Sequence, residues 1–386
     1  MRARCFQAWL ISLCSFLLPG SLSWAEDGGA TTDLDIEETL EEARAFGLVE
    51  TDAAGNEWLI APIPSYSPTF GWTLAVPVAR VYRPESANPE DPAWMTGVGG
   101  FYSENESWGG GLFHRMNLGH DKWRLMSALA YADINYNYYG FGNIGGDRDR
   151  YIELSQTFGG GVLEALREIS PNLYFGMRLV GTRTEVTDIG FPTLNLDLPG
   201  PEKGLVMDIV SLIPRLLYDT RDNDFYPHSG TLASLQVTLS SDSWGSDFEY
   251  SLYKLEWNHY LSLGDNQVLA MRVAGKYAAG RAPFFVLPAM GQGSDLRGYL
   301  AGVYRDNALV AGQAEYRLRL TKRFGIVAFA GIGGVGPGLD DLEEALPSYG
   351  GGLRWVLAKE NDISLRVDIG WGKNDHEIYV GVGEAF

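Results

Sequence analysis

Several stretches of the chain alternate apolar and polar residues with a period of two, and in most of them the polar face carries charges. In 231–240, Ala233, Leu235, Val237 and Leu239 fall on one side, and Ser234, Gln236 and Thr238 on the other. In 252–261, Tyr253, Leu255 and Trp257 oppose Lys254, Glu256 and Asn258. Leu269, Met271 and Val273 oppose Arg272 and Lys276, while Tyr316, Leu318 and Leu320 oppose Arg317 and Arg319. Ile363, Leu365, Val367 and Ile369 oppose Arg366 and Asp368. A soluble sandwich also alternates, but it turns its polar face to water. Here the apolar face recurs in nearly every segment, while the other face carries charges of both signs. An apolar surrounding outside and a wet, charged interior satisfy that pattern together, which predicts an all-β fold: a closed antiparallel transmembrane β-barrel. No stretch offers 18 consecutive apolar residues, so no transmembrane helix is expected. In lipid every backbone donor and acceptor must pair within the protein, and a closed barrel achieves this without a free edge.

The chain's start is consistent with export. Met1–Arg4 is basic, Cys5–Leu18 is apolar, and Ser23-Trp24-Ala25 offers small residues for cleavage. These features predict a signal peptide over residues 1–25. Both cysteines, Cys5 and Cys14, fall within it, so the exported chain is expected to carry no disulfide and no cysteine-based metal site. The leader also holds Arg2 and Arg4 and no acid, so its removal deepens a formal net charge already at −19. That excess argues against nucleic acid as a partner, whose phosphates demand a basic surface. Residues 26–57 are expected to form a short acidic periplasmic segment. Ile36, Leu40 and Ala43 recur there at helical spacing. The segment reads either as one short periplasmic helix or lumen plug, or as a solvated tether.

The barrel is expected over residues 58–386. Trp58–Pro64 reads as its first strand, with Pro62, Pro64 and Pro68 marking a turn around Ser65–Ser67. Eleven strands precede the Gly-rich stretch Gly291–Tyr299 and five follow it, about 16 in all, an even number as a barrel with both ends in the periplasm requires. Short turns at 104–106, 168–172, 264–266, 322–324 and 359–362, separated by longer polar loops, match the outer-membrane rule of short periplasmic turns and long external loops. The 48 glycines, 11 Trp, 20 Tyr and 17 Phe suit curved strands and interfacial girdles.

Three stretches resemble the outer-membrane barrel of the BamA/TamA family, also called bacterial surface antigen. They are Pro214–Gly230 (PRLLYDTRDNDFYPHSG), the loop Gly293–Tyr299 (GSDLRGY), and the closing strand Glu377–Phe386, in which Ile378, Val380 and Val382 alternate up to Phe386. Pro64–Trp72 (PSYSPTFGW) is similar to the entry of short barrels of this kind. The resemblance implies that Gly293, Leu296, Arg297, Gly298 and Tyr299 form a lumen-loop motif, with Arg297 inside the barrel and Glu315 as its partner. It also implies that Ile378, Val380, Val382 and Phe386 are a barrel-assembly signal. The family often places an Asp on the following strand, where this chain has Gly331. The alternative for Arg297 is an exposed loop arginine. About 30 residues before the barrel cannot hold a POTRA domain, so a short form without POTRA domains is expected.

No catalytic, cofactor-binding or metal-binding constellation emerges. Asp219, Asp222 and Asp224 lack the Gly and distal Glu of an EF-hand loop, and the Gly-rich runs open no helix with a phosphate-binding Lys or Ser/Thr. His114, His120, His228, His259 and His376 are scattered without metal-ligand spacing. The acidic stretch Asp340–Glu344 reads as solvated, or as a bridge through divalent cations to lipopolysaccharide. An enzyme is therefore not expected, and no cofactor. The implied location is the bacterial outer membrane, with its lipids and lipopolysaccharide as surroundings and the barrel-assembly machinery as partner during biogenesis. The resemblance implies assembly or translocation of proteins or lipids, with no client indicated. The two-signed interior equally fits a passive channel for small solutes, and a secreted β-rich adhesin is a third reading.

Overall fold

The computed structural model describes residues 49–51, 57–60, 62–82, 84, 94–119, 121–140, 148–190, 205–223, 226–291, 295–358 and 363–386. The leader, the helical pattern around Leu40, and Gly293 lie outside them. The strands in chain order are β1 (Val49–Thr51), β2 (Glu57–Ile60), β3 (Ile63–Ser67), β4 (Gly71–Tyr82), β5 (Trp94–Ser103), β6 (Trp108–Leu118), β7 (Trp123–Tyr138), β8 (Ile152–Ser170) and β9 (Leu173–Gly190). They continue with β10 (Leu205–Asp219), β11 (Gly230–Ser240), β12 (Tyr250–Gly264), β13 (Gln267–Gly280), β14 (Ala308–Arg319), β15 (Phe324–Gly336), β16 (Leu346–Ala358), β17 (Ile363–Trp371) and β18 (His376–Val382).

From β3 onward sequential strands pair antiparallel, and β18 returns to β3 to close the sheet. β2 and β3 both pair with β4, one after the other, and together form the first of 16 barrel strands. β1 lies outside that count and pairs with β2 on the edge away from β4. Ser65–Ser67, expected as a turn, is part of β3, and the reversal comes at Pro68–Phe70. Pro62 and Pro64 mark a strand edge, which tolerates the loss of a backbone donor, and Pro68 alone lies in the turn.

The alternation is inside out, as the sequence requires. Along β12, Tyr253, Leu255 and Trp257 face out and are exposed, while Lys254, Glu256 and Asn258 are buried in the lumen. Exposed aromatic residues ring both ends, with Trp72, Tyr102, Trp108, Tyr349 and Trp371 at one and Trp123, Phe324 and Trp355 at the other. Amphipathic rings at two levels are what two lipid–water interfaces select.

The longer connections 139–151, 191–204, 241–249, 281–307 and 337–345 share one end, here the loop end. The connections 119–122, 171–172, 265–266, 320–323 and 359–362 share the other, the turn end. The expectation needs two corrections. Two longer connections, 83–93 and 220–229, lie at the turn end. The short turn at 104–106 lies at the loop end, because β5 runs in the same direction as β7. Its tightness is local. Glu106 adopts φ 66°, and the Asn105 side chain donates to the Thr69 and Asn135 carbonyls.

In the loop 281–307 the described residues, which are 281–291 and 295–307, fold back into the lumen. Its Met290, Leu296, Tyr299, Leu300, Val303 and Tyr304 pack on the inward residues Leu309, Ala311, Val335 and Leu346. A second apolar cluster joins Phe285 of the same loop to Phe101, Ile134, Phe158 and Met207 on the wall. The loop thus packs against part of the wall at the loop end, and the charged network around Arg297 lies deeper.

Candidate functional site

The loop descends to Arg297, which is 2% exposed. Its guanidinium lies 2.6 Å from Glu315 Oε2 on β14 and 2.8 Å from Asp368 Oδ2 on β17. Nε donates to Gln313 Oε1 at 3.2 Å, and the guanidinium carbon stacks 3.6 Å from the centroid of Phe329. The Glu315 contact is off hydrogen-bond alignment and acts as an ion pair. An isolated guanidinium here would cost several kcal/mol, and two carboxylates with an aromatic face offset that cost.

The flanking residues seat the loop on the last strands. Gly298 N donates to Tyr379 Oη at 2.9 Å, and Ser348 Oγ donates to the Arg297 carbonyl at 2.5 Å. Tyr299 Oη donates to the Pro347 carbonyl at 2.5 Å and accepts from Lys373 N at 3.1 Å. Burial pushes the Tyr299 phenol up to about 12, which keeps it a donor at any ordinary pH. Asp295, just before the motif, accepts from Arg272 at 2.9 Å and Lys276 at 2.5 Å. Leu296 is fully buried beside Gly331, where a Cβ would lie 2.8 Å from its Cδ1. The position at which the family often carries an Asp is therefore a glycine that makes room for Leu296, and the second acid comes from Asp368.

Gly298 has φ 97°, and a Cβ on it would sit 2.7 Å from the Trp371 carbonyl carbon and 3.0 Å from Gly372 N. Backbone cannot yield as a side chain can. Gly298→Ala is expected to cost at least about 1–2 kcal/mol from the backbone conformation alone, and to unseat the loop. Limited proteolysis of the purified barrel should then cut within 281–307 where the native protein resists.

The network extends below Arg297. Glu315 Oε1 accepts from Arg317 Nε at 2.7 Å, Asp368 Oδ1 accepts from Arg354 Nη1 at 2.5 Å, and Arg354 Nε donates to Glu384 Oε2 at 2.7 Å. Of these groups, the polar-face pattern exposed Arg317 and Asp368; Arg354 and Glu384 carried no signal of their own, since their pairing spans strands distant in sequence. Among the described residues no three His, Cys, Asp or Glu side chains converge to hold a metal ion.

The closing segment departs from expectation. β18 ends at Val382, not Phe386, because Gly383 adopts φ 89° and turns the chain inward. Ile378 faces out, exposed, and Val380 and Val382 are half-buried. Phe386 packs toward Tyr226, Tyr260, Val268 and Ala270, and its carbonyl accepts from Arg317 Nη2 at 2.7 Å. The four expected signal residues therefore do not share one continuous outward row.

The sequence pattern of the Omp85 superfamily domain matches residues 99–386. Among solved structures, BamA from Haemophilus ducreyi lacking POTRA domains 1–3 superposes with a TM-score of 0.61 at 14% identity, over 84% of this chain and 70% of that one. CdiB from Escherichia coli gives 0.57 at 11% identity, over 90% and 70%. CdiB from Acinetobacter baumannii gives 0.55 at 13% identity, over 85% and 59%. At these identities the likeness is one of fold. No curated protein matches the chain.

Proposed function

Because the chain belongs to the Omp85 superfamily and forms a bacterial outer-membrane barrel, we propose that it assembles or translocates proteins or lipids at the outer membrane, through a seam that opens sideways between its first and last strands. The observation that carries this reading is the seam. β17 and β18 pair continuously from Leu365↔Val382 to Trp371↔His376. Among the described residues, β18 and β3 lie side by side but share one register pair, Tyr66↔Val380. Three features weaken that edge. Pro62 and Pro64 remove two backbone donors from the first strand. Gly383 turns the chain away where pairing along β3 would reach Ile63, and β1 pairs with β2 on its other edge. Backbone groups facing lipid without partners are costly, so a seam this short is a place where a client strand gains by pairing. The packed loop 281–307 supports this reading over passive flow of solutes through the lumen.

Residues directly opposite in an antiparallel pair have Cβ atoms roughly 4.5–5.5 Å apart, near disulfide range. The pair Tyr66→Cys with Val380→Cys should therefore lock the seam on oxidation. In a strain depleted of the native protein, the oxidised double variant should fail to restore outer-membrane composition, and reductant should restore it; each single variant should function. Full function of the locked barrel, or a depletion that leaves every outer-membrane protein and lipid at its normal level, would sink the proposal. Planar bilayers test the competing channel, which should conduct steadily and change conductance on Arg297→Ala.

A further inference from the structure

A polar chamber of about 850 Å³ opens at the loop end beside the seam. Its walls include Tyr66, Tyr139 and Tyr151, the carboxamide residue Asn137, and the carboxylate residues Glu106 and Glu153. A smaller recess of about 50 Å³ adjoins it, sharing Pro68, Thr69, Tyr136, Asn137 and Ala301 with the chamber wall. By the room one water requires, the recess holds about three or four waters or one compact anionic group.

Arg305 lines the recess and is 4% exposed. Its Nη1 donates to the Phe284 carbonyl at 3.0 Å, and its guanidinium lies 5.4 Å from the centroid of Tyr138. Its Nε has no partner. Among the described residues no carboxylate pairs with it, unlike Arg297, Arg272, Arg317 and Arg354, each held by at least one acid. A buried cation without a counter-charge is costly, and this one borders a cavity of the size of its missing partner. The chamber wall carries the acids Glu106, Glu153 and Glu377 together with one cation, Arg148, which is already paired with Asp375 and Glu377; its carboxylates can accept hydrogen bonds from hydroxyl groups. Tyrosine rings supply flat apolar faces beside them.

We propose that chamber and recess form one binding site for a hydroxyl-rich small molecule with a single anionic group, a phosphorylated or acidic sugar, with that group on Arg305 and its hydroxylated body among the tyrosines and carboxylates of the chamber. Both a free sugar phosphate and the phosphorylated saccharide of lipopolysaccharide offer this chemistry. The site does not depend on what the seam does.

The test uses purified, detergent-folded barrel and calorimetric titration with glucose 6-phosphate, glucose and inorganic phosphate. Glucose 6-phosphate should bind at least about tenfold more tightly than either fragment, since it alone joins a charge-assisted contact to the hydroxyl contacts. Arg305→Gln should abolish that advantage, and Arg305→Lys should keep part of it. Folding is checked by the migration of unboiled samples in electrophoresis. Should the Arg305 variants misfold, Thr69→Glu serves in their place: it sets a carboxylate at the recess, should block the ligand, and should raise thermal stability by pairing Arg305. Competition by lipopolysaccharide micelles would assign the ligand to lipid, and its absence to a soluble sugar. Equal binding of glucose 6-phosphate and glucose, no binding of either, or unchanged affinity in folded Arg305→Gln or Thr69→Glu would overturn the proposal.

Discussion

Glu315→Ala is expected to lower barrel stability by about 3–5 kcal/mol, the usual cost of stripping one partner from a buried ion pair. Glu315 is fully buried and lies against three guanidinium groups, Arg297 at 2.6 Å, Arg317 at 2.7 Å and Arg354 at 3.8 Å. Its removal leaves those cations to Asp368 and Glu384, both already engaged by Arg354. Because Arg297 tethers the loop 281–307, the loss should appear twice: as a lower urea midpoint in lipid vesicles and as loosening of the loop. Arg297→Ala combined with Glu315→Ala should cost less than the sum of the two, since the double variant removes both charges of the pair. A loss below about 1 kcal/mol for Glu315→Ala would mean the network is solvated like a surface ion pair and does not hold the loop.

The second large effect concerns the outer face. Leu255 and Leu263 lie on the same strand, β12, and are 54% and 55% exposed. They differ in depth: Leu255 is near the middle of the strand and Leu263 is at its turn end. Leu255→Arg is therefore expected to cost about 2–4 kcal/mol in a bilayer, and Leu263→Arg about 0–1 kcal/mol. Equilibrium unfolding in vesicles measures both. Equal, small costs at the two sites would mean that neither leucine faces hydrocarbon, and the membrane assignment would fail with them.

Much of this architecture was legible in advance. A period of two puts Leu255 out and Lys254 and Glu256 in, whatever the neighbours are, because successive strand side chains alternate faces. Arg297 stood out as a charge in a Gly-rich loop among apolar strands, and the structure places it against Glu315. Asp368 was visible only as one polar position among several. Nothing local indicates that β17 lies close enough to the loop for its carboxylate to replace the acid missing at Gly331. The end of β18 was misjudged for a related reason. Ile378, Val380 and Val382 alternate smoothly toward Phe386, but the positive φ of Gly383 and the pull of Arg317 on the Phe386 carbonyl are tertiary facts.

Residue order alone determined that this chain is a membrane barrel of 16 strands with a charged interior and an arginine-bearing loop between its eleventh and twelfth strands. Those features follow from alternation and connection length, which are properties of neighbouring residues. Only the tertiary structure decided which acids meet Arg297, how short the β3–β18 seam is, and that Arg305 lies buried without one. Each of those depends on closing the sheet, which brings together residues such as Tyr66 and Val380, or Arg297 and Asp368, that the chain keeps far apart.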